Sequence, residues 1–414
     1  MIGLSFGLTR QNSATISRAQ LISVPAGFPW TPPVGIYKNG NTYFVDPDFD
    51  LQTHANISVT KTYYVDSVTG SDSNDGLTAL TPFKTMLKVN TQGDADRVIV
   101  ADGSYFYRNQ RSLEIARNLE VICDGQFHYT SDVSNIWGTF TNTTNYWQAS
   151  SSEYVARVRD YTNLDAFGNA IPLTSVASIA LVNSTPNSFF WSSGQVYIRT
   201  FDSREPDTDI KGYESLAFRF REDNMKQYWK GVVFDGDAQI YNDTSTGGAK
   251  FYIENGTTLR NFEVWGIDEF ISKTCFWNGT EDGINYDARL TKVTNALEID
   301  SIGTNQFRGT ASGQGSTSHN GCNIVRVQCY YFSTSGQNCA DVNSGYTWML
   351  GGNLNTSTLN VGLYFSINEA WLDGVEVTTN TTSIQIAGSC IVNHRNLTLS
   401  GTVDVGGSAT YIAY

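Results

Sequence analysis

The chain is poor in charge. Only 16% of its 414 residues are Asp, Glu, Lys or Arg, and acids outnumber bases by 40 to 27, for a formal net charge of −13. Phosphate backbones are held by basic footprints, so nucleic acid is excluded as the main partner, whereas neutral or weakly charged glycans are not. No apolar run of 18 or more residues occurs, and the sequence predicts no membrane insertion. The first residues, MIGLSFGLTRQNSATISRAQ, lack the apolar core and cleavage site of a signal peptide, which predicts synthesis in the cytoplasm without export through a signal peptide. The six cysteines (Cys123, Cys275, Cys322, Cys329, Cys339 and Cys390) show no metal-ligand spacing and stand among apolar, strand-like residues. They read as small reduced core groups. Asp72, Asn74 and Asp75 lack the EF-hand spacing and its closing Glu, which leaves an ordinary turn. Neither a metal nor a cofactor is expected.

What is abundant points to β structure. Tyr and Phe number 22 each and Gly 37, with many Thr, Asn and Ser between them. That is the composition of an all-β chain with many turns. The segment YYVDSVTGSDSNDGLTALTPFKTMLKVN, Tyr63 to Asn90, sets the organisation. A short strand passes into a cluster of turn formers: Gly70, Asp72, Asn74, Asp75 and Gly76. Thr81 as N-cap and Pro82 at the first helical position then predict a short helix. Phe83, Met86 and Leu87 would form its apolar face. A strand, a Gly/Asp loop and one capping helix ahead of strand-rich sequence suggest a plug over one end of a solenoid. These residues resemble the opening segment of right-handed parallel β-helix proteins of the pectate-lyase-like superfamily, to which many bacteriophage tailspikes belong. The resemblance implies an all-β, right-handed parallel β-helix solenoid with a short N-terminal capping helix.

Four regions follow along the chain. Residues 1–60 carry Pro25, Pro29, Pro32 and Pro33 and an Asn39-Gly40 hairpin signal, and form a leader too small for its own core. By the resemblance it is the virion-attachment segment; it also reads as a tail packed on the body. Residues 61–136 contain the first coils, where DRVIVADGSYFY and NLEVICDGQFHY repeat an apolar run broken by Asp-Gly. A single coil cannot cover its apolar face, so coils stack. Residues 137–228 change to longer alternating strands, with Ser193-Gly194 at a bend, and read as an inserted β module. The solenoid pattern is expected to resume at Trp229 and run to residue 414.

Three places could carry a reaction. Glu281 and Asp282 stand in EDGINYD, and Glu298 and Asp300 stand two apart in a strand. If the latter share the outward face, their Cβ atoms lie about 7 Å apart, within reach of glycosidase geometry. His319 lies in STSHNG. Each has a plainer reading: turn formers, a solvated strand face and a loop hydrogen-bonder. Trp265, Trp277, Trp348 and Trp371 are candidate glycan-binding faces, though stacked aromatics also fill β-helix cores. The segments EDGINY, ALEID, STSHNG and ADVNSGYTW resemble β-helix proteins of phages and prophages, in which the matching His is often followed by Asp-Gly; here Asn320 replaces that Asp, against a His–Asp pair.

The expected function is a structural virion protein, a tail spike or tail fibre or a head fibre or spike, that recognises host polysaccharide or lipopolysaccharide at the virion surface. It would bind other virion proteins through its N-terminal segment and act as a homotrimer whose repeated weak sites gain avidity. One alternative is a polysaccharide depolymerase, a glycoside hydrolase or lyase; another is a non-enzymatic virion adaptor.

Overall fold

The computed structural model describes residues 19–414 apart from 112–113, 165–169, 222, 243–246, 280–281, 289–291, 305–312, 334–335, 357–360 and 380. The chain winds into a β-solenoid of about 12 turns. A typical turn runs Glu269–Lys273, Phe276–Asn278 and Ile284–Asp287, one strand for each of three sheets. Each strand pairs in parallel with its equivalent one turn later: Asn295–Ile299, Ile302–Thr304 and Ser316–His319. The first sheet extends from Thr62–Val65 to Thr410–Ala413, and the third is a nine-stranded sheet from Leu216–Phe220 to Thr402–Val405. Strand parity sends alternate side chains inward. Phe270, Trp277, Ile284 and Tyr286 of the typical turn fill the interior, all buried. The solenoid therefore resumes at Leu216–Phe220, before the Trp229 expected from the sequence.

One corner explains why the turns stay in step. Between first and second sheets eight successive turns place one residue in the left-handed region: Gly231, Asn255, Thr274, Asp300, Gln328, Gly351, Gly374 and Asn396, with φ between 48 and 74°. The backbone N–H of Thr274 donates to Ile299 O at 2.9 Å, Asp300 N–H to Val327 O at 3.0 Å and Gln328 N–H to Leu350 O at 2.8 Å. A single left-handed residue reverses the side-chain parity and bends the strand without leaving a buried donor unpaired.

The opening loop is built around Phe83. Its backbone pairs with the first strand, its N–H donating to Tyr64 O and its O accepting from Asp66 N–H, each at 2.9 Å. Gly76 (φ 68°) passes beneath the ring, where a Cβ would stand 2.4 Å from the phenyl edge. Asp72 accepts from both Lys84 N–H and Thr85 N–H at 3.0 Å, which holds this stretch extended. The helix consequently starts later than Thr81 and Pro82 predict. It spans Met86–Gln92, with Thr85 as N-cap and Gly93 at its C-cap. Met86 and Val89 close the end of the core, while Leu87 faces solvent.

Residues 19–60 lie along the outer side of the first sheet. Phe28, Tyr43, Leu51 and Ala55 pack on Tyr228, Tyr252, Ile271, Leu297, Val325, Trp348 and Trp371. Polar contacts pin the segment at both ends: Lys38 to Asp373 at 3.2 Å and His54 to Glu269 at 3.0 Å. Burial alone would lift the Glu269 pKa; hydrogen bonds from His54 and Tyr252 and the charge of Lys250 bring it down to about 2.

Between Ser134 and Tyr213 the chain leaves the coil. An antiparallel trio (Arg157–Leu164, Ala170–Pro172, Ile210–Tyr213) and a five-stranded sheet enclose a separate core of Val158, Leu173, Phe189, Val196 and Ile198. The strands Ser188–Ser192 and Gln195–Arg199 form a hairpin through Ser193 and Gly194, both at positive φ (51° and 77°).

Candidate functional site

The strand Asn295–Ile299 turns Ala296 and Glu298 inward, while Leu297 and Ile299 face out beneath residues 19–60. Glu298 and Asp300 therefore share no outward face. Glu298 has no exposed side-chain surface, and Asp300 occupies the corner at φ 48°. The reading of a polar residue as an outward one fails here because the leader makes the outer side apolar. Burial raises the pKa of Asp300 to about 6, against the lowering charge of Lys273.

Glu298 belongs to a polar knot in the solenoid interior. Arg326 Nε lies 3.3 Å from Glu298 Oε1, and its Nη1 and Nη2 donate to the Asp341 carboxylate at 2.8 and 3.0 Å. Ser318 Oγ and Thr347 Oγ1 each donate to Asp341 at 2.7 Å, and Ser316 Oγ donates to Glu298 at 3.2 Å. Burial pushes the Glu298 pKa up and outweighs the opposing charge of Arg326. Burial acts the same way on Asp341, but its bidentate pairing with Arg326 and its two hydroxyl donors win and hold the carboxyl below its ordinary value. Sealed from substrate, this knot is structural.

The aromatic candidates separate by sheet. Trp277 lies in the core beside Phe262, ring centroids 4.6 Å apart. Trp348 and Trp371 face outward from the first sheet and are covered by Phe28, at 6.1 and 5.8 Å. Trp265 stands half-buried on the outer side of the third sheet. Glu281 lies outside the described residues. Asp282 accepts from Gln314 N–H at 3.1 Å at the edge of that same sheet.

The third sheet gathers what remains. Register stacks Tyr241, Trp265, Asp287 and His319 in one outward row across four successive strands. The neighbouring row holds Gln239, Glu263, Asn285 and Thr317. Tyr241 and Trp265 centroids are 6.1 Å apart, and the guanidiniums of Arg219 and Arg221 lie 5.7 and 5.6 Å from the Tyr241 ring. Hydrogen bonds fix the polar groups: Gln239 Nε2 to Glu263 at 2.9 Å, Asn320 Nδ2 to Asp287 at 2.9 Å, and Thr317 Oγ1 with His319 Nε2 at 3.3 Å. The site thus joins Trp265, His319 and Asp287, the last residue of the EDGINYD segment, with Tyr241 and Glu263, which sequence reasoning missed. The signal was the shared alternation of FEVW, INYD and STSH, useful only once their register is known. Glu263 and Asp287 are diagonal neighbours on adjacent strands, about 7–8 Å apart at Cβ. Among the described residues no group of His, Cys, Asp and Glu is placed to hold a metal ion. Among them, too, no helix is long and apolar enough to cross a membrane.

No family model matches the chain, and no curated protein matches it. Among solved structures it is similar to XylC in complex with xylose, at 10% identity over 84% of this chain and 70% of that one, with a TM-score of 0.45. It is similar to a glycoside hydrolase at 10% identity, over 85% of this chain and 96% of that one, with a TM-score of 0.42. It is also similar to the gp54 tailspike of Acinetobacter baumannii bacteriophage AP22 in complex with A. baumannii capsular saccharide, at 11% identity over 78% and 66% of the two chains, with a TM-score of 0.23.

Proposed function

We propose that this protein recognises glycans on the outer surface of its third sheet and serves as a spike or fibre of a bacteriophage particle. The row Tyr241, Trp265, Asp287 and His319 carries the proposal. An apolar ring flanked by fixed carboxylate, amide and imidazole groups offers a pyranose both a stacking face and directional hydrogen bonds. Such surfaces bind weakly one at a time, so a homotrimer presenting several of them gains avidity. The phage assignment is supported by the loop around Phe83 and by the EDGINY and STSHNG segments, through their resemblance to phage β-helix proteins. In this reading the protein sits on the virion surface, its N-terminal segment meets other virion proteins, and the ligand is host polysaccharide or lipopolysaccharide.

Glu263 and Asp287, two carboxylates on adjacent strands of the same outward face, favour one further reading, cleavage of the bound glycan by a pair of acids. Purified host capsule and lipopolysaccharide, presented to wild type, Trp265→Ala, Glu263→Gln and Asp287→Asn, separate the cases. Binding that falls about tenfold or more in Trp265→Ala supports the proposed surface. Reducing ends released by wild type and lost in both carboxylate variants would make the protein a depolymerase. Undiminished binding by Trp265→Ala would remove the third sheet from consideration.

A further inference from the structure

A second, separate place has the chemistry of a sugar pocket. Where the inserted module meets the first coils, a cleft of about 470 Å³ is lined by Tyr107 from the solenoid and by Ser134, Asn135, Trp137, Phe140 and Lys211 from the module. Its size falls within the roughly 300–1,000 Å³ typical of small-ligand sites. Trp137 and Phe140 meet edge to face, centroids 5.6 Å apart. The indole can lie flat because Gly212 of the strand Ile210–Tyr213 has no side chain; a Cβ there would stand 2.0 Å from Trp137.

The polar wall is held from behind. The Asp132 carboxylate, with no exposed surface, accepts from Ser134 N–H at 2.7 Å and from Ser134 Oγ at 2.5 Å, and lies 3.9 Å from Lys211 Nζ. Two groups that face the cleft are therefore oriented by one buried acid, the arrangement that preorganises a binding wall. Charge defines the ligand class. Lys211 is matched by Asp132, and the cleft residue Asp207 lies 3.7 Å from Arg204. Arg204 is itself held by Asp160 at 2.7 Å and shared with Asp202, so both cations are already matched by carboxylates and none is left over to attract a uronate or a phosphate.

We infer that this cleft binds an uncharged pyranose oligosaccharide, stacking one ring on the Tyr107, Trp137 and Phe140 aromatics and meeting its hydroxyls with Ser134, Asn135 and Lys211. The site is independent of the third sheet.

Saturation-transfer NMR on the full chain, with maltotriose, N-acetylchitotriose and trigalacturonate as probes, tests it. Phe140→Ala and Asn135→Ala are the cleft variants, Trp265→Ala is the control, and thermal melting verifies that each is folded. Expected is transfer to a neutral trisaccharide that weakens about fivefold or more in the two cleft variants and is unchanged in Trp265→Ala. Loss in Trp265→Ala alone would return the binding to the third sheet and overturn the cleft. No transfer to either neutral probe at about 10 mM, weaker than any ordinary small-ligand site, would overturn it too, as would preference for trigalacturonate.

Discussion

Glu298 and Arg326 face each other from adjacent strands inside the solenoid, 3.3 Å apart, with neither side chain exposed to solvent. The pair stands where a core of stacked aromatics ends and an aliphatic core of Leu354, Leu363, Leu372 and Ile384 begins. Arg326 serves two carboxylates at once, and it grips Asp341 with two hydrogen bonds. Removing the cation leaves Asp341 buried and unpaired. Arg326→Met is expected to destabilise the protein by about 3–5 kcal/mol, read from urea unfolding. Replacing Arg326, Glu298 and Asp341 together with apolar residues of similar volume should recover most of that loss. A triple variant as unstable as the single one would refute this account.

The two acids of the knot respond to pH in opposite directions. Glu298 is pushed up by burial, so the folded state prefers it protonated, and stability is lost as pH rises through its folded pKa. Asp341 is held low, so its contribution is present above the ordinary carboxylate range and is lost on acidification. Glu298→Gln should therefore gain stability relative to wild type as pH climbs from about 4 to about 8, followed by melting temperature. A gap that narrows over that interval would contradict the assignment.

At the corner, Asp300 combines a left-handed backbone with a pKa raised to about 6. The shift is upward, so ionisation costs stability as pH rises through that value. Asp300→Asn keeps a side chain that tolerates the left-handed region and removes the charge. It should be more stable than wild type near pH 7.5 by about 1–3 kcal/mol, with the advantage shrinking as pH falls below about 6 and vanishing below about pH 4. Asp300→Val should be less stable than Asp300→Asn by about 1–2 kcal/mol at every pH, because a β-branched residue is strained at positive φ.

Residues 19–60 act as a covering strip. Deleting residues 1–60 would expose Tyr228, Tyr252, Ile271, Leu297, Val325, Trp348 and Trp371 as one apolar stripe. Strong binding of a hydrophobic dye and concentration-dependent association are the expected results, measured by fluorescence and light scattering. Phe28→Ala, which leaves the strip in place but empties its contact with Trp348 and Trp371, should cost about 3 kcal/mol.

Much of the architecture was legible in the sequence. The turn cluster from Gly70 to Gly76 and the capping helix after it suggested a plug on a solenoid, their resemblance to β-helix proteins implied the parallel coils, and strand-length apolar runs broken by turn residues fitted them. These are local signals: a left-handed corner, a glycine beneath a ring and the alternation of a strand are written within a few residues. The helix start was misread because Asp72, a dozen residues upstream, captures the N–H groups of Lys84 and Thr85.

Which side of each strand meets water was decided only in three dimensions. Alternation divides a strand into two sets but does not say which is inside when both can be satisfied. Glu298 went inward because Arg326 waits on the next strand, and Leu297 went outward because the leader covers it. The same stacking brought Trp265, Asp287 and His319 into one row from segments 22 and 32 residues apart, since parallel coils place equivalent positions side by side whatever the length of the loops between them.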